Sequence, residues 1–154
     1  TLFTVTHAPS SNLVSLEESP FFDLGAVPIT KSRNITLAAQ SGMFAYPSSS
    51  PLRPSGKENI YQLAYLQAIF PSQSVMVMDR DGSNRRALFP SEDAQGIKPQ
   101  TPVWAPDPIP GQEGDFLALV YQGNLWLIDS GSGQAHQITG DGLITRIDWK
   151  SLSK

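Results

Sequence analysis

Two stretches of the chain share one pattern of apolar and polar positions. Residues 75–90 read VMVMDRDGSNRRALFP and residues 125–140 read LWLIDSGSGQAHQITG. Each has four unbroken apolar residues, an Asp, a short Gly-containing turn, a more polar stretch and a final apolar residue. Neither 75–78 nor 125–128 alternates, and a strand without alternation has protein on both faces. An antiparallel sheet covered on both sides implies sheets stacked one on another.

Each central run follows an earlier apolar run of strand length, YQLAYL at 61–66 and FLALVY at 116–121. The breaks between them, Phe70-Pro71-Ser72-Gln73 and Gln122-Gly123-Asn124, read as hairpin turns. The later turns, Arg80-Asp81-Gly82-Ser83 and Ser130-Gly131-Ser132-Gly133, carry the Gly that tolerates the positive φ of tight bends. The mixed stretches 85–89 and 135–139 suit a strand with one wet edge. A further strand precedes the second copy at PVWAPD, 102–107, and another follows it at IDWKSL, 147–152. Trp104 and Trp149 then hold equivalent places, 144–149 opens a further unit, and GMFAY at 42–46 opens the first, with Tyr46 standing where Trp104 does. The period of about 45–50 residues predicts stacked supersecondary units. Upstream, strands are expected at 2–6, 12–16 and 35–39.

Composition agrees. Thirteen Pro and 12 Gly in 154 residues, with 16 % charged residues, favour short strands joined by turns. The length suits one ordinary domain with a real core. A net charge of −3 gives no reason to expect nucleic acid or an anionic membrane as partner. There is no Cys, which excludes disulfides, thiolate metal sites and cysteine nucleophiles. No apolar run reaches the roughly 18 residues of a membrane span, so no transmembrane segment is expected. The start at Thr1 instead of Met implies a chain processed or excised from something longer.

These motifs resemble the repeats of TolB-like β-propellers. A typical blade there runs from Trp-Ser-Pro-Asp-Gly through Leu-Ala-Tyr and Ile-Tyr-Val-Met-Asp to a Gly turn and Leu-Thr. Here Trp104-Ala105-Pro106-Asp107 matches the first signature, and Leu63-Ala64-Tyr65 and Leu117-Ala118-Leu119 the second. Met76-Val77-Met78-Asp79 and Trp126-Leu127-Ile128-Asp129 match the third, and Ile138-Thr139 closes the second copy. The match covers roughly the last ninety residues. Two departures stand out: a longer loop, 108–114, replaces the Gly after Pro-Asp, and at most about three and a half blades are present where closed propellers have about 4–8. The expected fold is all-β, with antiparallel four-stranded blades of a partial or oligomer-completed propeller. Its expected parts are a strand-containing segment at 1–40 that completes a blade, blades at 41–90 and 100–140, and the first strand of another at 143–154.

Candidate chemistry is sparse. Asp79-Arg80-Asp81-Gly82-Ser83-Asn84 has clustered oxygens on a Gly turn but lacks the remaining ligands of a calcium loop, so turn chemistry is expected and no metal. His7 and His136 stand without a nucleophile elbow or second ligand, and no phosphate loop or His-Glu-x-x-His occurs. The tryptophans and Met76 and Met78 read as packing between sheets. No catalytic residue and no cofactor is expected. Protein-contact candidates are the basic cluster Arg80, Arg85 and Arg86, with Glu92, Asp93 and Lys98 on the long loop 91–101. The expected function is a non-catalytic interaction or scaffold module, with a protein partner or another copy of itself. The resemblance implies an exported location, in the periplasm or at the cell surface. The alternative is an accessory propeller of an exported hydrolase or peptidase.

Overall fold

The computed structural model describes residues 2–7, 22–27, 35–38, 43–69 and 72–151, and among these it is all-β with no helix. Strands β1 (Leu2–His7), β2 (Phe22–Val27) and β3 (Ile35–Ala38) form a three-stranded antiparallel sheet in that order. A four-stranded sheet follows, built from β4 (Met43–Ser49), β7 (Gln62–Ile69), β8 (Ser72–Asp79) and β9 (Arg86–Phe89). Between β4 and β7 a small hairpin projects, β5 (Arg53–Ser55) paired with β6 (Glu58–Ile60). The second four-stranded sheet takes β10 (Val103–Trp104), β11 (Phe116–Tyr121), β12 (Asn124–Asp129) and β13 (Ala135–Gln137) in chain order.

The two four-stranded sheets share a core. Ala64, Leu66, Val75, Val77 and Phe89 of the first meet Trp104, Leu117, Leu119, Tyr121 and Ile128 of the second, and Ile97 joins them from the connecting loop. Full burial of each large aliphatic side chain here contributes about 1.5–3 kcal/mol. Phe89, Tyr121 and Trp126 close one part of this core, with Phe89 edge-on to Tyr121 at 5.0 Å between ring centres. Polar bonds tie the boundary as well. Trp104 Nε1 donates to the Ser48 carbonyl at 3.0 Å, Ser48 Oγ to the Pro102 carbonyl at 2.7 Å, and Ser130 Oγ to Gln62 Oε1 at 2.8 Å.

Register shows how the sheets are related. Gln62 pairs with Asp79, and Phe116 pairs with Asp129, so Leu63 corresponds to Leu117 and Ala64 to Ala118. Leu117 faces the shared core, whereas Leu63, equally buried, lies on the opposite face of its own sheet. Ala64 faces the shared core, whereas Ala118 lies on the far side of the second sheet. Equivalent positions therefore point the same way, and the sheets stack front to back rather than as a sandwich with two inward faces.

Leu63, Tyr65 and Met78 are fully buried on the first sheet's other face. The three-stranded sheet lies on that side: β1 and β2 approach β4, and a Cβ at Gly82 would stand 2.6 Å from the Leu37 carbonyl oxygen in β3. Three sheets thus stack in chain order, with β1, β4 and β10 at one margin and β3, β9 and β13 at the other.

Several expectations need correction. Tyr46 does not stand where Trp104 does: a register shift between Ala45 and Ser48 gives Tyr46 a φ of 58° and leaves it exposed. Ladder pairing puts Ser49, opposite Leu63, in the place that Trp104 holds opposite Leu117. Residues 144–149 form no strand, because among the described residues no neighbouring strand pairs with them. Burial along 125–128 is incomplete: Ile128 is buried, but Leu125 and Leu127 on the outer face are only half-buried, and among the described residues no sheet lies beyond them. Strand β2 and hairpin β5–β6 were not anticipated. The strand expected at 12–16 lies outside the described residues.

Candidate functional site

The contact candidates separate to opposite ends of the stack. β8 ends at Asp79, so Arg80 and Arg85 lie in the turn at one end, with Arg86 just inside β9. β9 runs back and ends at Phe89, which places Glu92, Asp93 and Lys98 at the other end, all exposed.

At the first end the arginines do not form one basic patch. Arg80 donates to the Asn59 carbonyl at 2.8 Å and pairs with Glu58, pinning the β5–β6 hairpin. Arg86 donates to the Ser130 carbonyl of the second sheet and joins the two sheets at this end. Exposed Arg85 instead lies beside Tyr65, whose hydroxyl is pushed up to about 12 by burial, with the Arg85 charge and hydrogen bond opposing. A further clamp was missed from sequence: Arg53 Nε donates to Asp115 Oδ1 at 2.9 Å, joining the hairpin to the second sheet. Hairpin, turns and clamp enclose a cleft of about 440 Å³ lined by Arg53, Tyr61, Asp79, Asp81, Asp115 and Gly131, among others.

Its carboxylates are occupied by local bonds. Asp81 accepts from the Ser83 hydroxyl at 2.6 Å and the Ser83 N–H at 3.0 Å, which hold it below the ordinary carboxylate range. Asp79 accepts from Asn84 Nδ2 at 2.6 Å. In the equivalent turn Asp129 accepts from Ser132 Oγ at 2.6 Å and the Gly131 N–H at 2.8 Å. Burial pushes Asp129 up, but these bonds and the Arg86 charge outweigh it and leave the carboxyl below its usual value. Turn chemistry thus accounts for the repeated Asp-Gly pattern. Among the described residues no three His, Asp or Glu side chains gather as a metal group would require.

At the other end the loop 91–101 is stitched down. Gln100 accepts from the Val120 N–H at 2.7 Å and donates to the Val120 carbonyl at 2.6 Å, as a neighbouring strand would. Tyr121 donates its hydroxyl to the Gln95 carbonyl at 2.8 Å, and the Ile97 N–H donates to the Gln73 carbonyl at 3.0 Å. Glu92, Asp93 and Lys98 therefore project from a fixed loop.

The third surface is the second sheet's outer face, with Val103, Val120, Leu125 and Leu127 half-buried. Residues 144–151 cross beside it. The Ile144 N–H donates to the Gly123 carbonyl at 2.8 Å at one end, and Ser151 Oγ donates to Asp107 Oδ2 at 2.5 Å at the other. Along this segment Ile147 and Trp149 are half-buried while 146, 148 and 150 are exposed, the alternation of a strand. Nearby Ile138 and Leu143 are 55 % and 78 % exposed. Sequence reasoning expected a strand here.

No family model, curated protein or solved structure matches the chain. No helix among the described residues is long and apolar enough to cross a membrane.

Proposed function

We propose that this chain is a non-catalytic protein-interaction or scaffold module whose stacked four-stranded sheets are TolB-like propeller blades within a larger, exported assembly. The single observation that carries the proposal is the front-to-back stacking. Ala64, Leu66, Val75 and Val77 bury fully or nearly so against the next sheet, while the corresponding face of the second sheet, with Leu125 and Leu127, is only half-covered. A face of that composition takes up another protein surface. The fixed loop 91–101 and the clamped turns at the far end keep both ends rigid, which lowers the ordering cost of binding.

A photo-crosslinking amino acid at Ile138 or Leu143, beside the outer face, and at Lys98 or Arg80, at the two ends, tests this in cells that make the protein. Protein adducts at the outer-face positions are expected. A folded protein giving no protein adduct at any of the four positions refutes the proposal.

A further inference from the structure

The hairpin β5–β6 is secured at its neck and almost nowhere else. At the neck the Ser50 N–H donates to the Gln62 carbonyl at 2.9 Å, and the Gln62 N–H donates to Ser50 Oγ at 2.9 Å. Beyond it the two strands pair only with each other. Residues 54–60 are all exposed and Arg53 is half-buried, so no apolar side chain of the hairpin enters the shared core. Two paired strands of three residues are marginal by themselves. Among the described residues, the bonds that tie 53–60 to the rest of the chain come from two charged clamps. Arg53 sends Nε and Nη2 to Asp115 Oδ1 at 2.9 and 2.7 Å. Arg80 sends Nη1 to the Asn59 carbonyl at 2.8 Å and Nη2 to Glu58.

The clamps end on different sheets. Arg80 lies in the turn after β8 of the first, and Asp115 immediately precedes β11 of the second. Between them is the cleft of about 440 Å³, with Arg53 and Ile60 on the hairpin side and Asp79, Asp81, Asp115 and Gly131 on the other. The turns keep their shape through their own bonds, from Asn84 to Asp79 and from Ser132 to Asp129, so releasing the hairpin leaves them in place. We infer that hairpin β5–β6 is a latched lid over this cleft, hinged at residues 51–52 and 61 and held shut by the Arg53–Asp115 and Arg80–Glu58 pairs. Leu52 at the hinge is 62 % exposed, so the lid swings without drawing a side chain out of the core. Arg80 and Glu58 are open to water, and Arg53 is partly so, which makes the latch sensitive to salt. A lid seated by apolar burial would not respond in this way. The loop 91–101 at the other end has uncharged fastenings instead, through Gln100 and Tyr121. Opening turns the cleft into a groove between the ends of the two four-stranded sheets. The inference goes beyond the interaction role and does not depend on it.

The absence of Cys makes a direct test available, since every thiol is then an introduced one. Lys57→Cys at the hairpin tip and Ala87→Cys on β9, both exposed, carry nitroxide labels whose separation is read by electron spin resonance. Salt is raised from about 0.01 M to about 1 M, which shortens the Debye length from about 30 Å to about 3 Å. One narrow distance is expected at low salt, and a second, longer population is expected to grow several-fold at high salt. Arg53→Gln combined with Arg80→Gln is expected to show the longer population already at low salt and to lose the response to salt. Glu58→Gln, a change on the exposed hairpin, carries the same test should the double variant not fold, with an open population several-fold above that of the intact clamps. The near-ultraviolet signal of Trp104 and Trp126 is expected to stay constant through the salt series. A single narrow distance at high salt, a broad distribution at low salt with both clamps intact, or clamp variants that stay shut overturns the inference. So does a near-ultraviolet signal that falls together with lid closure in the salt series, since the sheets would then be parting and not the hairpin.

Discussion

Trp104 donates its indole N–H to the carbonyl of Ser48, 3.0 Å away across the boundary between the two four-stranded sheets. The same Ser48 sends its hydroxyl back to the Pro102 carbonyl at 2.7 Å, so the two edge strands exchange a reciprocal pair of bonds. Trp104→Phe keeps most of the ring but leaves the carbonyl unpaired, and is expected to cost about 1–2 kcal/mol. Trp104→Ala also opens a cavity in the shared core and is expected to cost about 3–5 kcal/mol. Urea unfolding reads both as a lower midpoint at an unchanged slope. Equal losses for the two variants would mean the indole N–H contributes nothing.

The stacked-strand architecture was legible because apolar runs of strand length announce themselves. The strand with both faces covered was read correctly at 75–78, where Val75, Val77 and Met78 are fully buried. Hairpin β5–β6 was not legible: each strand has three residues, Pro54 interrupts one, and distant partners, Arg80 on Asn59 and Asp115 on Arg53, hold it in place. The Tyr46 assignment failed because residue spacing hides the register shift in β4. Strand β2, FDLGAV, contains Asp23 and Gly25 and shows little strand propensity. The cleft was illegible because its walls come from separate turns that only folding brings together.

Front-to-back stacking makes a second prediction, from corresponding residues in unlike surroundings. Val77 is fully buried between the two sheets, and Leu127, its counterpart, is half-buried on the outer face. Val77→Ala is expected to cost about 2 kcal/mol at any protein concentration. Leu127→Ala, although it removes more carbon, is expected to cost less than about 1 kcal/mol in dilute solution. Where the outer face is covered by another copy, that cost rises with concentration. Thermal melts across a dilution series separate the two behaviours. A larger loss for Leu127→Ala at every dilution would mean that the outer face is already covered within the single chain.

Asp129 gives the fold a predictable acid sensitivity. Its carboxyl is held below the ordinary range in the folded state, so as pH falls the unfolded chain takes up the proton first. The stabilisation is therefore present above the unfolded carboxylate pKa of about 3.9 and lost as pH falls through the lower folded value. Asp129→Asn keeps an oxygen acceptor but removes the charge. Near pH 7 it is expected to be less stable by about 1 kcal/mol, the share of a charged acceptor after solvent screening. The gap between the two proteins is expected to close as pH falls through that lower folded value. Paired urea titrations across this range check it, and a gap independent of pH would remove the charge from the account.

Gly123 and Gly142 separate backbone strain from steric contact at the anchor of residues 144–151. Both have left-handed backbone, with φ of 74° and 70°. A Cβ on Gly123 would collide with the Gly142 carbonyl, whereas a Cβ on Gly142 would meet its nearest neighbour, the Gln122 carbonyl oxygen, at 3.9 Å. Alanine at either site is thus expected to bring a strain cost of about 1 kcal/mol, but only Gly123→Ala forces residues 142–144 away from the β11–β12 turn. That displacement breaks the bond from the Ile144 N–H to the Gly123 carbonyl and the bond from the Gly142 N–H to Asn124 Oδ1 at 2.9 Å. Hydrogen exchange at Ile144 is therefore expected to accelerate in Gly123→Ala far more than at β12 ladder amides such as Leu127, and to change little in Gly142→Ala. Equal acceleration in the two variants would show that the strained turn, and not the contact with Gly142, holds the segment against the second sheet.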